Sequence, residues 1–99
     1  MKFKIDEVQT IKISNGDELI AKVLSQEEDT ITVSNPLTIL PGPSGIQLVP
    51  SLFTTDLDTT VTINISNISM VADVRDQVKD SYLEATTGIK PVRNKILMG

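Results

Sequence analysis

Alternating apolar and polar residues predict β-strands through the first two thirds of the chain. Ile11 and Ile13 alternate with polar residues, and Asn15-Gly16, a dipeptide typical of a type I′ hairpin turn, follows them. Beyond the turn, residues 19–24 carry apolar side chains on both faces of the predicted second strand. We therefore expect a tight hairpin whose second strand is buried on both sides or meets a partner.

Two further strands follow a polar corner at residues 26–29. The period of two resumes over residues 31–39, where Pro36 cannot donate to a ladder and marks an edge, a bend or a bulge. The turn residues 41–45 then reverse the chain into a fourth strand that bends at Pro50.

A fifth strand is predicted around Val61 and Ile63, with Ile65 on the same face and a continuation through Ile68 left open. After it, apolar residues recur at three and four positions, which is the spacing of one helical face. We expect this helix at about 73–87, with Asp73 as its N-cap and Gly88 as its C′ residue. The residues at helical spacing are Val71, Val74, Val78, Tyr82 and Ala85.

These elements predict a mainly β fold, a small, five-stranded, strongly bent antiparallel barrel with one C-terminal amphipathic α-helix. Residues 1–88 form a single domain in this interpretation, and residues 89–99 form a tail. A chain of 99 residues buries only a modest core, so association with other copies adds useful stability.

Composition argues against most enzyme classes. The chain has no histidine, tryptophan or cysteine, and so lacks the commonest general base, the commonest zinc ligands and disulfides. Ser44 and Ser51 have no histidine to activate them. We expect a protein that is not an enzyme and has no catalytic residue, cofactor or metal. In the absence of an export signal or a long apolar run, we expect it in the cytoplasm.

Charge is distributed unevenly along the chain. The net charge is −4, but residues 88–99 carry three basic residues and no acid, which leaves −7 on the rest. A net acidic chain disfavours polyanion binding, whereas the basic tail favours contact with phosphates. The same tail can equally be an ordinary solubilising segment. The three acids at positions 27–29 can be read as a metal-binding corner or, more simply, as a solvated loop.

The first hairpin resembles the first motif of the Sm/LSm family, the group that includes bacterial Hfq. That motif has an apolar pair, Asn-Gly, and then apolar, glycine, apolar and acidic residues at fixed spacing. Only the second glycine is replaced, by alanine. "NPL" and the Pro-Gly turn after the acidic corner are similar to Sm-like proteins of marine cyanobacterial phages, which implies the cytoplasm of a bacterial host cell. The matching residues are Ile11, Ile13, Asn15, Gly16, Leu19, Ala21, Val23 and Glu27.

The resemblance implies an Sm-like ring, a cyclic homo-oligomer of about five to seven subunits that binds single-stranded RNA or DNA and assists nucleic-acid processing. The second family motif is recognisable only as "INISNISMV", with Asn64 in place of the arginine that helps to hold a base and Ile65 in place of glycine. The helix also follows the barrel instead of preceding it. A non-catalytic oligomeric scaffold that has lost the base pocket is therefore a second interpretation. The candidate nucleic-acid-binding residues are Lys12, Lys22, Asn35, Asn64, Lys90, Arg93 and Lys95.

Overall fold

Six β-strands, one turn of 3-10 helix and one α-helix are present in residues 1–56 and 58–87, which are the residues that the computed structural model describes. In chain order these elements are β1 (Val8–Ile13), β2 (Glu18–Gln26), β3 (Thr30–Gly42), β4 (Gly45–Pro50), β5 (Thr60–Asn64), the 3-10 turn (Ile65–Asn67), β6 (Ile68–Asp73) and α1 (Asp76–Thr87).

All strand pairs are antiparallel, and β3 holds the sheet together because it has three partners. The strand order is β4-β3-β2-β1-β6, and β5 pairs with the first half of β3. Residues 30–34 of β3 pair with β5, and residues 37–42 pair with β4.

The change of partner within β3 occurs at a bulge. Asn35 and Pro36 together lie opposite Ala21, because the register with β2 shifts at this point. Asn35 has a φ of +50°, a backbone conformation that asparagine tolerates better than most residues. The predicted bend or bulge at Pro36 is confirmed, and it lets one strand serve both the barrel and the hairpin that β4 completes.

One apolar cluster, which fills the inside of the barrel, contains side chains from five strands. Phe3, from the segment that precedes β1, is buried in the same cluster. The core therefore holds together strands that lie far apart in the sequence. Its buried members are Phe3, Ile11, Ala21, Val23, Ile31, Val33 and Ile68, and Val61 and Ile63 of β5 pack against them.

Helix α1 covers the outer face of the sheet. Tyr82 is 2% exposed and packs with Val8 and Ile20 in a second cluster, against which Leu37, Ile39, Leu48, Val74 and Val78 also pack. Ile20 faces this cluster, while Ala21 and Val23 face the barrel interior. Strand β2 is therefore covered on both sides, as its two apolar faces predict.

The first hairpin is confirmed, but the type I′ turn is wrong. Ile13 and Asp17 close a three-residue connection, and the Gly16 N–H donates to the carbonyl of Ile13 at 2.8 Å. Only Gly16 has positive φ, at +100°, whereas Ser14 and Asn15 do not. This is the geometry of a type I turn followed by a glycine bulge, which needs positive φ at one position and not at two.

The structure decides one boundary near the helix that the sequence left open, and it corrects another. The fifth strand does not run through Ile68, because the 3-10 turn redirects the chain so that β6 pairs with β1. Helix α1 begins at Asp76, so Val71 belongs to β6 and Asp73 is the last residue of that strand instead of a helix N-cap. Gly88 lies outside the described residues.

The predicted fold class is confirmed as a mainly β, small bent antiparallel barrel with one C-terminal helix. The β3–β4 pairing adds a hairpin to the five strands that line the core. No helix in residues 1–56 and 58–87 is long and apolar enough to cross a membrane.

Candidate nucleic-acid interface

Two connections meet at one end of the barrel, the acidic corner at residues 27–29 and the 3-10 turn that follows β5. Thr30 pairs with Asn64, and the Ile65 N–H donates to the carbonyl of Asp29 at 2.8 Å. The Glu27 N–H donates to the Thr30 carbonyl at 2.8 Å and closes the corner. Because the side chains of residues 27–29 and of Asn64 are exposed, they can contact a ligand at this end.

The tip of the first hairpin also reaches the 3-10 turn. The Ser14 N–H and hydroxyl both donate to the Asn67 carbonyl, at 2.7 and 2.9 Å. Asn15 accepts from the Asp17 N–H at 2.9 Å, which orders the tip itself. Sequence reasoning did not single out Ser14 or Asn67 as site residues. The only available signal was the run of small polar residues after β5, which is also typical of any exposed loop.

Lys12 and Lys22 lie on the outer face of the barrel. Lys12 is opposite Glu18 and Met70, and Lys22 is opposite Val8 and Ser34. Glu18, the β2 residue opposite Lys12, lies four positions before Lys22, so the two lysines are about 13 Å apart along the strand direction. The two ammonium groups are exposed, but they do not form one cluster.

Asn35 is half-buried in the β3 bulge, beside the position of Lys22 in the β2–β3 pairing. It lines a small, mainly apolar hollow of about 50 Å³ together with Pro36, Leu37, Pro50 and Val61. Asn64 pairs with Thr30, which precedes Asn35 by five residues along β3. In an extended strand this spacing corresponds to about 17 Å. The fold thus brings Lys22 close to Asn35 and keeps Asn64 and Lys12 apart from them.

The local charge at the barrel end is negative. Three carboxylates at residues 27–29 adjoin Asn64, the position where the family motif has arginine. In the described part of the chain, no three acidic, histidine or cysteine side chains are grouped so that they can hold a metal ion. The acidic corner therefore repels phosphate. Its shape is that of an ordinary loop, closed by the backbone hydrogen bond from Glu27 to Thr30.

An ion pair holds the segment before β1 against the end of β6. Lys4 Nζ lies 2.6 Å from Asp73 Oδ2, and Gln9 Nε2 donates to Asp73 Oδ1 at 3.3 Å. The hydrogen bond from Lys4 lowers the pKa of the Asp73 carboxyl, and the same bond raises the pKa of Lys4. Since both side chains are more than half exposed, solvent screens this pair, and its role is mainly to position the segment that carries Phe3.

The remaining candidates, Lys90, Arg93 and Lys95, lie outside the described residues. No protein-family model matches the sequence, and no curated protein has significant similarity to it. The Sm-like interpretation therefore depends on the motif residues and on the geometry described above.

Proposed function

We propose that the protein is an Sm-like subunit that assembles into a ring and binds single-stranded RNA or DNA, assisting nucleic-acid processing without catalysing a reaction. The observation that carries the proposal is the pairing scheme of the barrel. β5 pairs only with β3, and β6 pairs only with β1, so each has an outer edge with no strand partner among the described residues.

The free edges of β5 and β6 favour head-to-tail association. An unpaired edge exposes backbone donors and acceptors, and the β5 edge of one copy can satisfy those of the β6 edge of the next. Contacts of this heterologous kind close into a ring when the rotation per subunit allows it. Met70 of β6 is 63% exposed, which leaves apolar surface beside this edge for a neighbouring copy to cover.

The nucleic-acid part of the proposal concerns the connections at the barrel end. The resemblance implies that loop ends facing the central pore hold a base, and here the loop after β2 and the 3-10 turn before β6 are hydrogen-bonded to each other. Asn64 can donate to and accept from a base edge, although it lacks the charge and the stacking plane of arginine. Ring symmetry repeats each exposed cation in every subunit, so a net acidic chain can present a basic rim.

One specific observation favours the second interpretation, an oligomeric scaffold without a base pocket. The acidic corner lies next to Asn64, where a phosphate backbone has to pass. Lys12 and Lys22, the described cations among the candidate residues, lie on the outer face of β1 and β2 instead of at this end.

Binding of labelled oligo-U and oligo-A, followed by fluorescence anisotropy at two salt concentrations, separates the two interpretations. The mass of the protein is first measured by light scattering. We expect an oligomer that binds weakly and accepts pyrimidine sequences such as oligo-U. Its affinity should fall steeply with salt, since the logarithm of the binding constant falls against the logarithm of the salt concentration by about 0.7 per phosphate contact. Deleting residues 89–99 flattens this slope if the tail contacts phosphates. Lys2→Gln, which removes a cation outside the candidate set, serves as the control and leaves the slope unchanged.

A single-chain mass at all concentrations refutes the ring. An intact oligomer that binds neither oligonucleotide at low salt refutes nucleic-acid binding and leaves the scaffold interpretation.

A further inference from the structure

The longest uncharged stretch of the chain contains an exposed strand edge. Between Asp29 and Asp56 there is no acidic or basic residue, and this stretch includes all of β4. β4 pairs with β3 on one side, and no described strand covers its other side. Exposed edges in monomeric proteins are usually protected by charges, prolines, bulges, short length or a covering element. On the open side of β4 only Pro50, at the end of the strand, provides such protection, and the uncharged residues before it can pair with another strand.

The register of the β3–β4 hairpin defines which backbone groups of β4 point outward. Gly42 and Gly45 flank a two-residue loop and form its closing pair. In an antiparallel ladder hydrogen-bonded pairs alternate with non-bonded ones, so Ile46 and Leu48 occupy non-bonded positions opposite β3. Their N–H and C=O groups therefore point away from β3, toward the open side.

The proline residues of the hairpin agree with this assignment. Pro41 is opposite Ile46, and Pro50 is opposite Leu37, which are both non-bonded pairs. Neither proline has an N–H to donate, and neither position needs one. The ladder within the hairpin is thus complete, while the outward groups of Ile46 and Leu48 have no strand partner among the described residues.

We propose that β4 pairs antiparallel with β4 of a second copy about a two-fold axis. With Gln47 on the axis, Ile46 lies opposite the partner subunit's Leu48, and Leu48 lies opposite the partner subunit's Ile46. Both outward residues form hydrogen-bonded pairs in this register, which gives four backbone hydrogen bonds across the axis. The edge is therefore complementary to itself, which is what an isologous contact requires.

Charge explains why the occupant is a second copy. The chain has a net charge of −4, so two copies repel each other on average, and at an uncharged edge they approach without opposing like charges directly. Gln47 is exposed, and on the axis it faces its own symmetry mate, where an acidic or basic residue would be opposed by a like charge. Two glutamine amides can instead hydrogen-bond to each other.

This contact uses a different strand from the β5 and β6 edges and does not depend on ring formation. If the ring forms, β4 pairing joins two rings, and if it does not, β4 pairing gives a dimer. In either case the number of chains in the assembly is even. The two proposals can therefore fail separately.

Ile46→Pro tests the pairing because it removes an outward N–H that the β3 ladder does not use. The preceding residue, Gly45, already has a φ of +128° and no side chain to clash with the new ring. We expect the mass measured by light scattering to fall two-fold, with an unchanged circular dichroism spectrum. Ile46→Val keeps the N–H, and we expect it to keep the wild-type mass. A folded Ile46→Pro variant of wild-type mass overturns the proposal, as does a wild-type assembly with an odd number of chains.

Charge complementation tests the axis without changing the backbone. Gln47→Lys and Gln47→Glu each place two like charges across the axis, about 4.5 Å apart between Cα atoms in a non-bonded pair. We expect each variant alone to show half the wild-type mass, and an equimolar mixture to recover the full mass at low salt. If each variant keeps the wild-type mass, or if the mixture stays at half mass, Gln47 is not on the axis and the proposal is wrong.

Discussion

The hydroxyl of Tyr82 completes the sheet at the β3 bulge, and its removal is a sharp test of how helix α1 is attached. Asn35 and Pro36 together lie opposite Ala21 at this bulge, and Lys22 and Ser34 form the next pair of the β2–β3 register. The Lys22 N–H donates to the Tyr82 hydroxyl at 3.1 Å, and that hydroxyl donates to the Ser34 carbonyl at 2.9 Å. Tyr82→Phe removes this bridge and keeps the ring.

The expected cost follows from these two contacts. A neutral hydrogen bond contributes about 1 kcal/mol net, and a buried group left without a partner costs about 1–3 kcal/mol. The surroundings of the hydroxyl are protected from water, since Tyr82 is 2% exposed. We therefore expect Tyr82→Phe to lower the free energy of unfolding by about 2–3 kcal/mol, which for a chain of this size lowers Tm by about 10–20 °C.

Urea unfolding followed by far-ultraviolet circular dichroism measures this change, at one fixed protein concentration because association shifts apparent stability. Ser81→Ala is the matched control. Its hydroxyl donates to the Gln77 carbonyl at 3.3 Å on the exposed side of the same helix, and its loss should change stability by less than about 0.5 kcal/mol. A Tyr82→Phe variant within about 0.5 kcal/mol of the wild type refutes a stabilising role for the bridge.

Two further predictions concern the first hairpin and the alkaline limit of stability. Gly16→Val forces a β-branched residue to adopt a φ of +100° and should lower the free energy of unfolding by about 1 kcal/mol or more. Gly42→Val, at a position where φ is not positive, should lower it by less. Equal melting temperatures for the two variants contradict this prediction. Burial raises the pKa of Tyr82 to about 12, so the unfolded chain ionises first, and stability should be full below pH about 10 and fall as the pH rises toward 12. Because Tyr82 is the only tyrosine, absorbance at 295 nm reports it alone, and an ionisation midpoint near 10 in the folded protein contradicts the expected burial.

Local sequence signals predicted the strands and the hairpins well. Period-two alternation and turn residues identified the elements around Asn15-Gly16 and around residues 41–45, and Pro36 marked the bulge. The break between β5 and β6 was left undecided by the sequence, because the apolar residues at Val61, Ile63 and Ile65 continue an extended pattern into the 3-10 turn. Helical spacing likewise began too early, since Val71 of β6 happens to lie three residues before Val74.

The candidate site was less predictable than the fold. The contact between the acidic corner and the 3-10 turn depends on how strongly the sheet curves, and no local pattern carries that information. Tyr82 was predicted on the apolar face of the helix and is buried there, but nothing in its periodicity indicates that its hydroxyl bridges β2 and β3. Two candidate residues, the cation Lys12 and Asn64 at the position of the family's arginine, lie on different parts of the barrel.

The closure of the barrel by its most distant strands sets the order in which the chain can fold. β1 and β6 pair directly, with Ile11 opposite Val71, so the contact that shuts the barrel spans 60 residues of sequence. The first hairpin forms early because its loop is short, but the interior that Phe3 and Ile68 share stays open until the last strand has been synthesised. Folding of the barrel therefore has to wait for nearly the whole chain, and its rate is limited by this non-local closure and not by its helix.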